Sequence, residues 1–238
     1  MTSAESQQST PSLYAEIAST PAITAGFILE SNVHEGNPKV LLRRSQKDLK
    51  NDEARSHVLT FSPSPSGDLE PAPFPWETLQ VSALVPSPSG RLVALIRSRE
   101  VSGKKEQSLE VWDGGSLLAC ANAHGDAHGD IYTGDVFSGL EWSADESKLL
   151  YTAEAKKAEA ASFWSSKAPK DPPPAGVGRE FVFREDWGEL ATGKALSRLF
   201  VLDVASAQVK QVPGAPDDAA LGQAVWAPDG SIVATAFR

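Results

Sequence analysis

Apolar and polar positions along this chain fall in short alternating runs separated by tight polar turns, the two-residue period of half-buried strands. The clearest instance occurs twice. WSADESKLLY begins at Trp142 and WAPDGSIVAT at Trp226. Each reads as an aromatic strand end, a polar turn and a second apolar strand, the opening hairpin of a β-propeller blade. The sequence reaches Arg238 inside the second of these hairpins. The expected fold is therefore all-β, a partial, open β-propeller with a short N-terminal helix.

Residues 1–11 are rich in Ser, Thr and Gln and are expected to be disordered, having little to bury. Residues 12–25 are read as the helix and its lead-in. Ser12 can cap that helix, and Leu13, Tyr14 and Ile17 would share one apolar face. The incomplete propeller is assigned to residues 26–238, with a first turn at Glu35-Gly36-Asn37-Pro38. From Ser62 to Trp76, Pro63, Pro65, Pro71, Pro73 and Pro75 remove backbone donors, which predicts a loop rather than a ladder-forming strand.

Beyond Val81 the pattern sharpens. Ser87-Pro88-Ser89-Gly90 turns into RLVALIRS, followed by SLEVWD and SLLACA, the successive strands of one blade. A second unit runs FSGLEWSA, KLLYTAE, SRLFVLDV and QVKQV, and LGQAVWAPDGSIVATAF opens another. Trp142 and Trp226 stand 84 residues apart, whereas blades recur at roughly 40 to 50. The excess is assigned to a loop insertion at about 155–178, where lysines surround Pro172-Pro173-Pro174.

Composition narrows the functional classes. With 41% hydrophobic and 22% charged residues the chain is globular. Lys and Arg number 22 against 31 Asp and Glu, a net charge of −9, which argues against a nucleic-acid partner. No apolar run approaches the ~20 residues of a membrane-spanning helix, so no membrane partner is expected. Cys120 is the single cysteine. That excludes an internal disulfide framework, fits a reducing compartment, and predicts a small buried hydrophobe. MTSAESQQSTPS lacks an apolar core and carries Glu5, unlike a secretory signal, so the cytoplasm is the expected location.

Several groups could carry chemistry. His124 and His128, beside Asp126, Asp130 and Asp135, offer nitrogen and carboxylate ligands to a metal. The glycines of HGDAHGD instead favour a loop between blades. Asp186 and Glu189 flank Trp187, a carboxylate pair read as part of a turn whose indole packs on a blade. Gly176-Val177-Gly178 lacks the third glycine of a dinucleotide site. Arg43, Arg44, Lys47 and Lys50 are interleaved with Asp48, Asp52 and Glu53, a solvated surface. Trp112, Trp142 and Trp226 are read as packing residues, and His34, His57, His124 and His128 as loop or strand-edge residues. No catalytic, cofactor-binding or metal residue is assigned, and no cofactor is expected.

Longer words carry a further signal. HGDIYTGDVFSGLEWSADESKLLYTAEAKK (His128 to Lys157), FVFREDWGE (Phe181 to Glu189), FVLDVASAQV (Phe200 to Val209) and LGQAVWAPDG (Leu221 to Gly230) closely resemble the N-terminal propeller region of the acylaminoacyl-peptidase family. SLEVWD at Ser108 and LYAEIASTPAIT at Leu13 resemble it in the same order. The likeness spans about residues 12–238 and is strongest after Leu109.

The resemblance implies a cytosolic serine peptidase of the prolyl-oligopeptidase group, which removes an N-acylated residue from short peptides. It also implies a Ser, Asp, His triad on a C-terminal α/β-hydrolase domain, capped by the propeller. That domain is the expected partner in a full-length protein, short N-acylated peptides are the expected ligands, and self-association is left open. The 238 residues contain no G-x-S-x-G elbow. The expected role is thus the substrate-gating portion of such a peptidase, inactive by itself. The alternative is a free-standing propeller-like binding or regulatory module.

Overall fold

The computed structural model describes residues 10–29, 39–64, 66, 68–72, 76–78, 80–122, 126–134, 136–156 and 194–238. One helix, α1 (Thr10–Ser19), precedes the strands β1 (Ala22–Leu29), β2 (Lys39–Asp48), β3 (Glu53–Pro63), β4 (Leu69–Pro71) and β5 (Trp76–Glu77). There follow β6 (Val81–Pro86), β7 (Leu92–Val101), β8 (Lys104–Asp113) and β9 (Ser116–Ala121). A third group comprises β10 (His128–Ile131), β11 (Leu140–Trp142), β12 (Lys148–Ala155), β13 (Ser197–Asp203) and β14 (Gln208–Gln211). Last come β15 (Ala220–Trp226) and β16 (Ile232–Phe237). The fold is all-β, built from successive antiparallel meanders.

The sheets run β1-β2-β3-β4 with β5 also on β3; β6-β7-β8-β9; β10-β12-β13-β14 with β11 also on β12; and β15-β16. Two compact units are formed, one of residues 1–95 with 112–116 and one of 96–111 with 117–238. In the first, Leu29, Leu41 and Val58 make the core, with Phe27 and Leu84 packed against them. Gly90 sits so close to Leu29 that an added Cβ would lie 2.7 Å from the leucine Cβ. In the second, Leu150, Leu199 and Ala224 gather Val201, Leu221, Trp226 and Ile232, while Tyr132, Phe137 and Ala220 gather Leu196 and Phe237.

The repeated hairpin is built at its tip. Asp145 Oδ1 accepts from the Ser147 amide at 3.1 Å and from Ser143 Oγ at 2.6 Å. Asp229 Oδ1 accepts from the Ser231 amide at 2.9 Å in the same way. Glu146 and Gly230, one residue after each aspartate, both take positive φ, 58° and 80°. The turn at Ser87 is a third version: Ser89 Oγ accepts from the Arg91 amide, and Gly90 takes φ 71°. An Asp or Ser side chain thus replaces a missing backbone acceptor at each tip. The strands that follow pair as the repeat predicts, Trp142 opposite Leu149 and Trp226 opposite Ile232.

Several expectations are corrected. Helix α1 starts at Thr10, because Pro11 suits a first helical turn, and strand structure begins at Ala22 rather than Gly26. Its Leu13, Tyr14 and Ile17 are exposed instead of forming a buried face. The proline-rich stretch is partly ladder: Phe61 pairs with Pro71 and Pro63 with Leu69. It succeeds because both prolines end their strands and β4 lies at the edge of the sheet, where a missing donor costs little. Cys120 is exposed, on the strand that ends its sheet. His57 is no edge residue: it pairs with Arg44 on one side and Glu77 on the other. The insertion at 155–178 lies outside the described residues from residue 157 onward, as do residues 1–9 and the turn at Glu35.

Candidate functional site

The most concentrated buried polar chemistry belongs to the second unit, where β10 meets β12 and β13. His128 is 1% exposed, although it stands at the start of a short strand. Its ring packs edge-on against Tyr151, centroids 5.4 Å apart at 74°, and lies 4.8 Å from the Phe200 ring. Nδ1 is 2.7 Å from the Gly129 carbonyl oxygen and Nε2 is 2.8 Å from Tyr151 Oη. A carbonyl can only accept, so Nδ1 carries the proton and donates. Nε2 of the neutral ring then accepts from the phenol. Burial pushes the Tyr151 phenol far above its ordinary range, which keeps it a donor.

Neighbouring polar groups are engaged in the same way. Gln107 imitates a strand, accepting from the Ile131 amide at 2.7 Å and donating to the Ile131 carbonyl at 3.3 Å. Glu110 is buried and takes both Nε and Nη2 of Arg97, at 2.9 and 3.1 Å. Cys120 is held above the ordinary thiol range by partial burial and by the Glu110 charge, so it is a poor nucleophile. Arg198 donates to the carbonyls of Ser197, Ala219 and Asp217. Gln107 and the Arg97–Glu110 pair fasten strands to one another, and Arg198 ties β13 to the turn before β15.

Two strand ends are clamped where the chain leaves at Ala155 and returns at Ala195. The Ala155 amide donates to the Leu196 carbonyl at 2.8 Å. The Ala195 amide donates to Glu154 Oε1 at 3.2 Å, and Tyr132 Oη donates to the Ala195 carbonyl at 2.8 Å. The Lys194 ammonium lies 4.9 Å from the Tyr132 ring centroid.

Of the metal ligands considered from sequence, the described ones, Asp126, His128 and Asp130, are not brought together. His128 is consumed by Tyr151 and Gly129, Asp126 is exposed, and Asp130 pairs with Lys105 at 3.0 Å. Among the described residues no group of three or more His, Cys, Asp and Glu could hold a metal. His124, Asp135, Asp186, Glu189, Gly176 and His34 lie outside the described residues. Of the basic cluster, Lys47 pairs with Asp52 at 2.9 Å at the surface, but Arg43 reaches inward to the Val81 carbonyl at 2.7 Å. Trp142 is buried, while Trp112 and Trp226 are half-buried. A cavity of about 460 Å³ in the second unit is lined by Lys148, Asp203, Lys210, Trp226 and Ile232.

The roles of Tyr151, Arg198, Glu154 and Tyr132 are absent from a reading of motifs. The available signal was polar residues inside apolar strand text, TAE after KLLY and SR before LFVL. The arrangement braces a blade. It holds no activated nucleophile at the His128 ring, whose two nitrogens are already committed.

Comparison with known proteins assigns the scaffold. The family model described as acylamino-acid-releasing enzyme, N-terminal domain, matches residues 1–236. The mouse acylamino-acid-releasing enzyme is 40% identical over 157 residues, 60% of this chain and 21% of that protein. Acylamino-acid-releasing enzyme 1 of rice is 31% identical over 231 residues, 92% of this chain and 29% of that protein. A solved structure of Pyrococcus horikoshii acylaminoacyl peptidase shares the fold at a TM-score of 0.54 and 15% identity, covering 91% of this chain and 28% of its own. The chain spans less than a third of the length of these relatives. By the match over nearly its whole length, the chain belongs to the family of acylamino-acid-releasing enzyme N-terminal domains.

Proposed function

We propose that this domain is the substrate-gating part of a cytoplasmic serine peptidase that releases N-acylated amino acids from short peptides. The observation carrying this reading is the family match across residues 1–236. In the reading, a C-terminal α/β-hydrolase region supplies the nucleophile, base and oxyanion donors, and the propeller selects short flexible chains by steric exclusion. The braced blade supports it: a gate that sorts by size has to resist deformation, and His128 and Gln107 cross-link strands while Arg198 ties β13 to the turn before β15, all by buried hydrogen bonds.

Acyl transfer needs an activated nucleophile and oriented donors. The 238-residue chain by itself is therefore expected to give no turnover of an acetyl-alanyl chromogenic substrate and no labelling by a fluorophosphonate. Stoichiometric labelling of one serine in this chain would overturn that assignment. For the gate, the polypeptide carrying both regions is assayed with a short acetylated peptide and a long one. Leu150→Ala, which loosens the second core, should raise the long-to-short turnover ratio. An unchanged ratio in a folded variant would refute gating.

A further inference from the structure

Beyond the peptidase reading, the smallest sheet of the second unit leaves one strand open. β16 pairs with β15 on one side, and among the described residues nothing pairs with its other side, whereas the remaining sheets have four or five strands. The Ser231 carbonyl is turned toward β15, where it accepts from the Ala227 amide at 2.8 Å. Backbone groups alternate in direction along a strand, so the amides and carbonyls of Ile232, Ala234 and Ala236 point to the open side. Such a row of unpaired donors and acceptors is a template for another strand.

Other strands at the edges of their sheets are guarded. Glu70 and Pro71 stand in β4, Pro86 in β6, Asp130 in β10 and Lys210 in β14, and β1 shifts register between Ile23 and Ala25. β16, IVATAF, carries no charge and no proline and is rich in strand-forming residues. Val225 and Val233, cross-strand partners, are both exposed beside the open edge. Charge lies only at its two ends, Asp229 before it and Arg238 after it, both exposed. Arg238 meets Asp218 at 3.7 Å with both side chains 71% exposed, a contact given up at little cost. A strand with an acid at one end and a base at the other complements itself when turned end for end. β9, SLLACA, is a second uncharged edge with Leu117 and Leu118 exposed, but its flanks Gly115 and Asn122 are neutral, so no charge orients a second copy there.

We propose that β16 pairs antiparallel with β16 of a second copy of this chain, closing a symmetric dimer through one continuous four-stranded sheet. The outward-facing backbone groups set the register. Ala234 lies on the two-fold axis, Ile232 stands opposite the partner's Ala236, and Arg238 stands opposite the partner's Gly230, beside the partner's Asp229. Val225 and Val233 of both copies then share one face of the joined sheet. The contact uses the same patch on each copy, so it stops at two. It requires none of the peptidase chemistry.

The test is sedimentation velocity of the 238-residue chain across micromolar concentrations. A reversible monomer–dimer equilibrium is expected. Ala234→Pro removes an amide that faces the open side and spares the β15 ladder, so a folded monomer should result. If Ala234→Pro does not fold, Val233→Lys carries the test, because it sets two lysines diagonally across the two-fold axis on an exposed position. Arg238→Glu should weaken association about tenfold, the size of two exposed ion pairs lost together. Leu118→Lys, on the β9 edge, should leave the dimer intact. A chain that stays monomeric throughout, species that grow past the dimer, association unchanged by the β16 variants, or a dimer dissolved by Leu118→Lys overturns the proposal.

Discussion

Tyr151 Oη and His128 Nε2 lie 2.8 Å apart and join strands β12 and β10 through side chains where the ladder between those strands shifts register. Only His128 opposite Ala155 and Ile131 opposite Ala153 remain in register there. The phenol and the imidazole take over the part of the pairing that the irregular backbone leaves open. Phe200, on the far side of β12, closes the ring contacts around both.

Tyr151→Phe removes the phenol and leaves the buried His128 Nε2 without a donor. The expected loss is about 1–3 kcal/mol, the cost of one unsatisfied buried group. Chemical denaturation should show a lower midpoint at unchanged slope. A pH dependence accompanies it. The Tyr151 pKa is raised in the folded chain, so its contribution is fully present below pH ~10 and is lost as pH rises above that. The wild-type chain should therefore lose more stability than Tyr151→Phe between pH 9 and 11.

Asp145 behaves with the opposite sign. Hydrogen bonds from Ser143 and Ser147 hold its carboxyl down at about 2, below the ordinary 3.8. Its contribution is present above the ordinary value and disappears as pH falls from about 4 to about 2. Asp145→Ala should melt lower than wild type at pH 7, and the two melting curves should converge towards pH 2. A constant gap across that range would contradict this account of the turn.

Gly222→Ala tests packing in the second unit. A Cβ there would lie 2.7 Å from Phe137 Cα and 3.0 Å from its carbonyl oxygen, backbone atoms that cannot swing aside. A loss of about 1–3 kcal/mol is expected from overpacking. Gly115→Ala, with nothing within 4 Å, serves as the comparison and should be near neutral. Thermal melts of the pair decide the matter.

Glu110→Ala should be among the most damaging single changes. It strips Arg97, whose side chain is 20% exposed, of both its hydrogen bonds to a carboxylate only 5% exposed. About 3 kcal/mol is expected for breaking such a pair on one side. The double variant Arg97→Met with Glu110→Leu should recover part of that loss, measured by denaturant titration.

The hairpins were legible because their signal is local. A Trp, an Asp two residues from a Ser, and an apolar run define β11–β12 and β15–β16 without any long-range contact. Local text was silent wherever the deciding contact was distant. His128 reads as a loop histidine until Tyr151, 23 residues on, is placed beside it. Nothing in SRLFVLDV announces that Arg198 donates to the carbonyl of Ala219. Pro63 and Pro71 argued for a loop on propensity, but edge position and strand ends neutralise their missing donors. Residue type alone puts Cys120 in the interior, whereas its strand lies at the edge of the sheet and leaves it exposed.

The shared tip of the hairpins at Ser87, Asp145 and Asp229 separates two decisions that a chain of similar repeats must make while folding. A slip of one residue would send every side chain of a strand to the opposite face, and a side-chain acceptor fixed at the turn forbids that slip within each hairpin. The tips are nearly interchangeable, so they say nothing about which strand belongs with which. Choice of partner falls to the flanking text, Leu149-Leu150 in one hairpin and Ile232-Val233 in the other. Grafting one tip onto another hairpin should leave alignment intact, whereas exchanging the flanks should produce faithful hairpins attached to the wrong neighbours.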